Sequence, residues 1–527
     1  MCGIAGWIDW KLDLTKERQT LAAMVEKLSA RGPDASGMYF APHAALGHRR
    51  LSVVDPENGA QPMIRKRGQY SYAITYNGEL YNTAELRQDL ESRGYGFTTH
   101  CDTEILLTAY MEWGSDCVER FNGIFAFGIW DEFRQHLFLA RDRIGVKPLF
   151  YARRGDGLIF GSELKALLAN PAIKPEINAE GLAEVFMLGP ARTPGHGVFR
   201  DVFELKPGHC AVYNENGLYI TQYWKLNSKS HTDDFKTTVE TVRNLLEDTV
   251  KRQLVADVPV CTLLSGGLDS SALTALTAYS YQKDGLGAVD TYSVDYLDND
   301  RYFKASSFQP NADAPWVEKV AKHFGTCHHN VLLDTPELVQ SLPNAAISRD
   351  LPGMADVDTS LYLFCREIKK GATVALSGEC ADEVFGGYPW FYRQDMLKSG
   401  TFPWAPHPEM RREWLSPEVN ASIRSGEYVN ERYQAALAEV PRLPGEDAHA
   451  ARMREIFYLS LTRWMPTLLD RKDRMSMAFG LEVRVPYCDH RLVEYVWNVP
   501  WEMKDPHLKR PQKLNVHQFQ GHCCAQL

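Results

Sequence analysis

The chain has 527 residues, 44% of them hydrophobic and 24% charged, with a formal net charge of −9. That length exceeds one ordinary core, so two domains are expected. The acidic balance argues against bulk nucleic-acid affinity, and no run approaches the ~20 apolar residues of a membrane helix. The start shows no basic-then-apolar signal pattern. The eleven cysteines are scattered with no C-x-x-C pair, so neither a disulfide framework nor a zinc site is suggested, and a reducing cytoplasm is the expected location.

The chain opens Met1-Cys2-Gly3-Ile4-Ala5-Gly6. If Met1 is removed, Cys2 carries a thiol and a free α-amine, whose ordinary pKa values are ~8.5 and ~7.7–8. The amine can then take the thiol proton, so one residue supplies nucleophile and base. On position alone, a small buried apolar cysteine is an equal reading. Arg31-Gly32-Pro33-Asp34 is a turn signal, and Arg31, Asp34 and Arg141 read as structural groups. His48-Arg49-Arg50 places cations beside the strand-like run that follows. Tyr76-Asn77-Gly78-Glu79 follows an alternating strand, and Cys101-Asp102-Thr103-Glu104 leads into a helix from Ile105 to Met111. A strand pair then spans Phe121–Trp130 and Leu137–Ala140.

Together these motifs resemble the class II glutamine amidotransferase domain over residues 2–205. The resemblance implies a four-layer αββα sandwich of the N-terminal nucleophile hydrolase type. It implies that Cys2 attacks the glutamine side-chain amide, with Asn77 and the Gly78 N–H as oxyanion hole. Arg50 would hold the substrate carboxylate, and Glu79 and Asp102 its α-ammonium. The chemistry suits these residue types: an oxyanion needs preorganised donors, and an arginine can grip a carboxylate with two bonds. Arg50 also reads as a surface ion-pair residue, and Asp102 as a helix cap that can serve both ends.

Residues 206–237, with Pro207-Gly208 and Asn214-Glu215-Asn216-Gly217, read as a connector. Val239, Val242, Leu246, Val250 and Leu254 then recur at helical spacing. The run Val258–Leu264 has the content of a buried strand, broken by Ser265-Gly266-Gly267 before a helix that begins near Asp269. Such a turn offers free N–H groups and a helix dipole to an anion, and the glycines let backbone approach a phosphate. Strands at 289–296, 330–333 and 372–376 alternate with helices at 317–324 and 361–369, which implies a parallel sheet covered on both faces. The last strand enters Ser377-Gly378-Glu379-Cys380-Ala381-Asp382, a second Ser-Gly turn with acids. If the two strands are neighbours, Asp269 and Asp382 face each other across a phosphate-sized gap and would hold Mg²⁺. Glu379 and Asp382 also read as simple helix-start acids.

Ser265-Gly266-Gly267-Leu268-Asp269-Ser270 resembles the pyrophosphate loop of the ATP pyrophosphatases, giving an expected second domain at 238–505. The pairing with an N-terminal cysteine amidotransferase, and the run Arg471–Asp489, resemble the glutamine-hydrolysing asparagine synthetases. That resemblance implies an ATP- and Mg²⁺-dependent ligase making asparagine from aspartate and glutamine through β-aspartyl-AMP, with no membrane partner; it allows a homodimer. Leu263 and Val294 would line the nucleoside pocket. Ser265, Gly266, Gly267, Asp269, Ser270, Ser377 and Gly378 would handle the phosphates. Glu379 would serve the adenylation, and ammonia would pass between the sites through a dry passage. A glutaminase-only remnant and an amide ligase of the β-lactam synthetase type are the alternatives; aspartate-dependent pyrophosphate release separates the first, and a retained Cys2 argues against the second. Residues 506–527 depart from the family pattern, carry no apolar periodicity, and read as a disordered tail or as the product of a frame change.

Overall fold

The computed structural model describes residues 1–305 and 311–504, so the expected disordered tail lies outside the described residues. The first half contains β1 (Gly3–Asp9), β2 (Ala35–Ala41), β3 (Ala44–Arg50), β4 (Met63–Arg67), β5 (Tyr70–Leu80) and β6 (Gly123–Asp131). It continues with β7 (His136–Arg141), β8 (Phe150–Arg154), β9 (Gly157–Gly161), β10 (Val202–Glu204), β11 (His209–Asn214) and β12 (Gly217–Gln222). They form two six-stranded sheets, ordered β10-β8-β9-β1-β3-β2 and β12-β11-β7-β6-β5-β4, with antiparallel pairing throughout.

Strand periodicity sorts the side chains of β1 to two faces. Ile4 and Ile8 meet Ala73, Ala126 and Trp130 in the core between the sheets. Ala5 and Trp7 point the other way, onto Leu21, Met24 and Val25 of α1 (Arg18–Glu26). The outer face of the second sheet is covered by α2 (Thr83–Ser92) and α3 (Asp102–Trp113). The layers therefore run helix, sheet, sheet, helix. With both faces covered, all seven residues of β1 are buried. The Phe160 ring of β9 fills the space between the sheets because its cross-strand partner Gly6 and Gly128 of the opposing sheet lack side chains: a Cβ would lie 2.2 Å from the ring at Gly6 and 2.7 Å from it at Gly128. Strands β11 and β12 fall within the expected connector, yet Ala211 and Tyr213 of β11 enter the inter-sheet core.

The helix α4 (Phe235–Gln253) starts on Asp234, whose side chain accepts the Thr237 N–H. Its Val242, Leu246 and Val250 pack in one core with Leu273 and Leu276 of α5 (Leu268–Asp284). The second half then builds β13 (Val260–Leu263), β14 (Asp290–Tyr296), β15 (Cys327–Leu333), β16 (Val374–Leu376) and β17 (Glu482–Arg484). Their order is β15-β14-β13-β16-β17, all pairs parallel. Flanking helices include α6 (Ala314–Phe324), α7 (Asp356–Ile368), α8 (Ala381–Phe385) and α9 (Met465–Met477). The fifth strand, β17, has no apolar run to announce it. Its charged residues are buried by pairing: Arg484 Nε lies 2.6 Å from Glu482 Oε1. From β13 the chain moves outward to β14 and β15, then returns to β16 on the other side. The carboxyl ends of β13 and β16 thus flank the switch point where ligands of such sheets bind. Among the described residues, no helix is long and apolar enough to cross a membrane.

Candidate active sites

The first pocket lies where the start of β1 meets the end of β5. Its lining includes Cys2, Arg50, Gly78, Glu79 and Asp102. The Cys2 N–H donates to Asn77 Oδ1 at 2.9 Å, while the fully buried Asn77 Nδ2 has no hydrogen-bond partner among the described residues. An unmet buried donor costs about 1–3 kcal/mol, so this amide is set up for an acceptor the protein does not supply. Position 78 accepts only glycine, since a Cβ would lie 2.2 Å from the Ile124 carbonyl oxygen. Arg50 is held by the backbone carbonyls of Pro56, Asp55 and Val54, and among the described residues it has no carboxylate partner. That leaves its charge for an anion. His48, which the sequence groups with these cations, is neutral: burial, then Arg50, push its pKa down to about 3.

Asp102 is the first residue of α3, but its side chain does not cap the helix. Its Oδ2 accepts from Tyr76 Oη at 2.8 Å and the Leu80 N–H at 3.0 Å. Burial raises its carboxyl above the usual range, and burial followed by Glu482 and Asp102 raises Glu79 well above it. Two such acids gain from an incoming ammonium. The Cys2 thiol is itself pushed up by burial, so it needs a base at neutral pH. Met1 is buried and its ammonium lies 2.5 Å from Glu482, leaving a cavity of about 30 Å³, room for about one water.

Arg31 does more than shape a turn. Its Nε donates to the Cys2 carbonyl at 3.0 Å, and its Nη groups bond Glu163 and, with two bonds, Asp473 of α9. Lys147 and Arg474 join this buried lattice across the two halves. Nothing local to residue 31 announces that partner, 442 positions away.

The second pocket, about 1050 Å³, opens at the carboxyl ends of β13, β14 and β16. It is lined by Leu263, Ser265, Gly267, Asp269, Ser270, Val294, Ser377, Gly378, Glu379 and Asp382. The β13 and β16 strands are direct neighbours, and a Cβ on Gly378 would come 3.1 Å from the Ser270 nitrogen. Gly266 does not line the cavity. It supplies the turn, with φ 76° and Trp316 and Asp313 too close for any side chain. The Ser265 and Ser270 hydroxyls hydrogen-bond at 3.0 Å and order the loop.

Two residues unassigned by sequence complete this cavity. Arg471 and Lys472 of α9 reach the Glu379 carboxylate at 3.1 and 2.8 Å. Burial alone would raise Glu379, but Lys472 and Arg471 hold it below the ordinary range. Asp269 and Asp382 have no cationic side chain within ion-pair reach among the described residues. Burial, then Asp382, pushes Asp269 up to about 7; burial, then Glu379, pushes Asp382 up to about 6. Two acids that resist ionisation for want of a cation fit a divalent ion of hard, oxygen-seeking type.

A sandwich of the N-terminal nucleophile type joined to a parallel sheet of the ATP-pyrophosphatase type defines the class of protein. A family model for the glutamine amidotransferase domain matches residues 1–224, and one for asparagine synthase matches residues 241–512. The chain is 54% identical to asparagine synthetase (glutamine-hydrolyzing) 3 of Bacillus subtilis, over 96% of this chain and 82% of that protein. It is 31% identical to the Homo sapiens asparagine synthetase (glutamine-hydrolyzing), over 96% of this chain and 78% of that one. A solved structure described as the allosteric regulatory enzyme of purine biosynthesis overlays with a TM-score of 0.34 at 16% identity, covering 63% of this chain and 80% of its own. The chain belongs to the glutamine-hydrolysing asparagine synthetase family.

Proposed function

We propose that the protein makes asparagine from aspartate, ATP and glutamine. One observation carries the reading. Arg484 of β17 has its guanidinium 3.7 Å from Glu79 in the first pocket, while its carbonyl accepts the N–H of Ser377, in the second. A single residue spans the two sites, so a nitrogen freed at one has a short way to the other.

At the first site, Arg50 takes the glutamine carboxylate and Glu79 with Asp102 its ammonium. With Met1 removed, the Cys2 amine accepts the thiol proton, and Sγ attacks the side-chain carbonyl. Asn77 Nδ2 and the Gly78 N–H hold the oxyanion. Collapse expels ammonia and leaves a γ-glutamyl thioester, which water converts to glutamate. At the second site, the two Ser-Gly turns cradle the phosphates. Asp269 and Asp382 would hold Mg²⁺, which neutralises phosphate charge. The aspartate side-chain carboxylate attacks the α-phosphorus, and pyrophosphate leaves. Glu379, kept ionised by Arg471 and Lys472, is a fixed negative charge that can receive a proton from attacking ammonia. Ammonia adds to the β-aspartyl-AMP carbonyl, and AMP departs. Bulk ammonia is mostly protonated, so water must be kept from its path.

The test is the Cys2→Ala variant. It should lose glutamine-dependent asparagine formation and keep formation from added ammonia, together with aspartate-dependent pyrophosphate release. Loss of both nitrogen sources in folded protein contradicts separate sites, and absence of pyrophosphate release from the parent chain leaves only a glutaminase.

A further inference from the structure

The parallel register of β14 and β15 sets Asp290 opposite Cys327 and Tyr292 opposite His329. Because side chains alternate along a strand, these four share one face of the sheet. His328, between two of them, turns to the other face and bonds Thr291 and Ser293 there. On the shared face, His329 Nε2 lies 2.8 Å from Asp290 Oδ1 and 3.7 Å from Cys327 Sγ, and the three donor atoms all fall within 4.8 Å of one another.

We propose that Asp290, Cys327 and His329 bind one borderline-soft divalent ion, zinc foremost, on the face turned away from His328. Zinc bonds of about 2.0–2.3 Å in a tetrahedron put donors roughly 3.3–3.8 Å apart, so small rotamer changes close the site. Thiolate and imidazole with one carboxylate select zinc or its transition-metal neighbours over Mg²⁺ and Ca²⁺, which want oxygen alone. The ion is therefore chemically distinct from the one the ATP cavity would hold. The frame is rigid: two donors stand on β15 and one on β14, and the buried Tyr292 ring stacks on His329 at 4.6 Å and 20°. Part of the triad is open to solvent, which gives the ion an entry path and leaves room for water as fourth ligand. Binding releases the Cys327 thiol proton to solvent as the sulfur–metal bond forms. A Cys-x-His pair whose third ligand lies 37 residues upstream has no sequence spacing that marks a zinc site. The triad sits at the amino ends of its strands, whereas the Ser-Gly turns follow carboxyl ends, so occupancy leaves the chemistry in place.

The test uses the full chain freed of metal with a chelator. Zinc is titrated against a chromophoric chelator, and Co²⁺ serves as the spectroscopic probe. One ion should bind per chain in the presence of excess Mg²⁺, and Co²⁺ should give a near-ultraviolet thiolate band. Cys327→Ser should abolish that band, Cys327→Ser and His329→Ala should each weaken zinc binding about ten-fold or more, and Asp290→Asn should weaken it less. Cys327→Ser should release pyrophosphate at the parent rate, showing intact fold. A combined His522→Ala, Cys523→Ser, Cys524→Ser variant should keep both ion and band. A band that survives Cys327→Ser, or that is lost with the tail residues, or that never forms, overturns the site.

Discussion

In the proposed reaction Asn77 has two tasks for two atoms, and replacing it with alanine separates structure from rate. The substitution removes the acceptor of the buried Cys2 N–H, 2.9 Å away, at a cost of about 1–3 kcal/mol. It also removes the unpartnered Nδ2, whose burial already costs about the same. The two changes offset, so stability should move little. The transition state has no such offset. Loss of one preorganised oxyanion donor costs roughly 2.7–4 kcal/mol, a fall of about a hundred- to a thousand-fold in glutamine turnover. Asn77→Asp, which keeps the acceptor and loses the donor, should fall comparably. The assay follows glutamate release from glutamine beside pyrophosphate release with added ammonia, and thermal unfolding of each variant. Glutamine turnover within about three-fold of the parent would refute the oxyanion assignment, and an equal fall in the ammonia-dependent reaction would refute its confinement to one site.

Arg31→Met strips a buried lattice that still contains Lys147 and Arg474, so destabilisation should be near the low end of the range for such groups, about 3 kcal/mol. Glutamine-dependent synthesis should drop further than ammonia-dependent synthesis, because in the proposed reaction only the former uses Cys2, whose carbonyl Arg31 holds; equal drops would show a purely structural role. Burial pushes the Asp269 and Asp382 carboxyls up to about 7 and about 6, and the Mg²⁺ of the proposed reaction would bind their ionised forms. Affinity for Mg²⁺–ATP should therefore rise as pH climbs through those values and weaken as it falls, with Asp269→Asn flattening the curve; calorimetry showing tighter binding in acid would contradict the arrangement. Gly266→Ala forces a side chain into the left-handed region and to 2.8 Å from Trp316 Cβ. At roughly 1–2 kcal/mol of strain, KM for ATP should rise about ten-fold with glutamine hydrolysis untouched, and an unchanged KM would mean that the loop does not set the phosphate site.

The alternating and helical periods of the chain, and the local turn chemistry of Ser265–Ser270 and Ser377–Asp382, were readable because they depend on neighbours within a few positions. The strand–helix alternation of the second half led to a parallel sheet, whereas the layered sandwich of the first half followed only from its resemblance to the class II glutamine amidotransferase domain. Boundaries shifted by a few residues, as with Val258–Leu264 against the observed Val260–Leu263. Strand β17 was invisible, since its buried charges pair with each other and with distant groups instead of forming an apolar run.

The sequence by itself put forward the residue types suited to a phosphate, a carboxylate or an oxyanion, because that chemistry is local to each motif. Only the tertiary structure decided that β13 adjoins β16, that Arg31 reaches Asp473, that Arg471 and Lys472 hold Glu379, and that a cysteine, a histidine and an aspartate converge on one sheet face. The reason is physical: pairings across hundreds of residues are selected by the joint burial of whole layers, and no single segment carries that information.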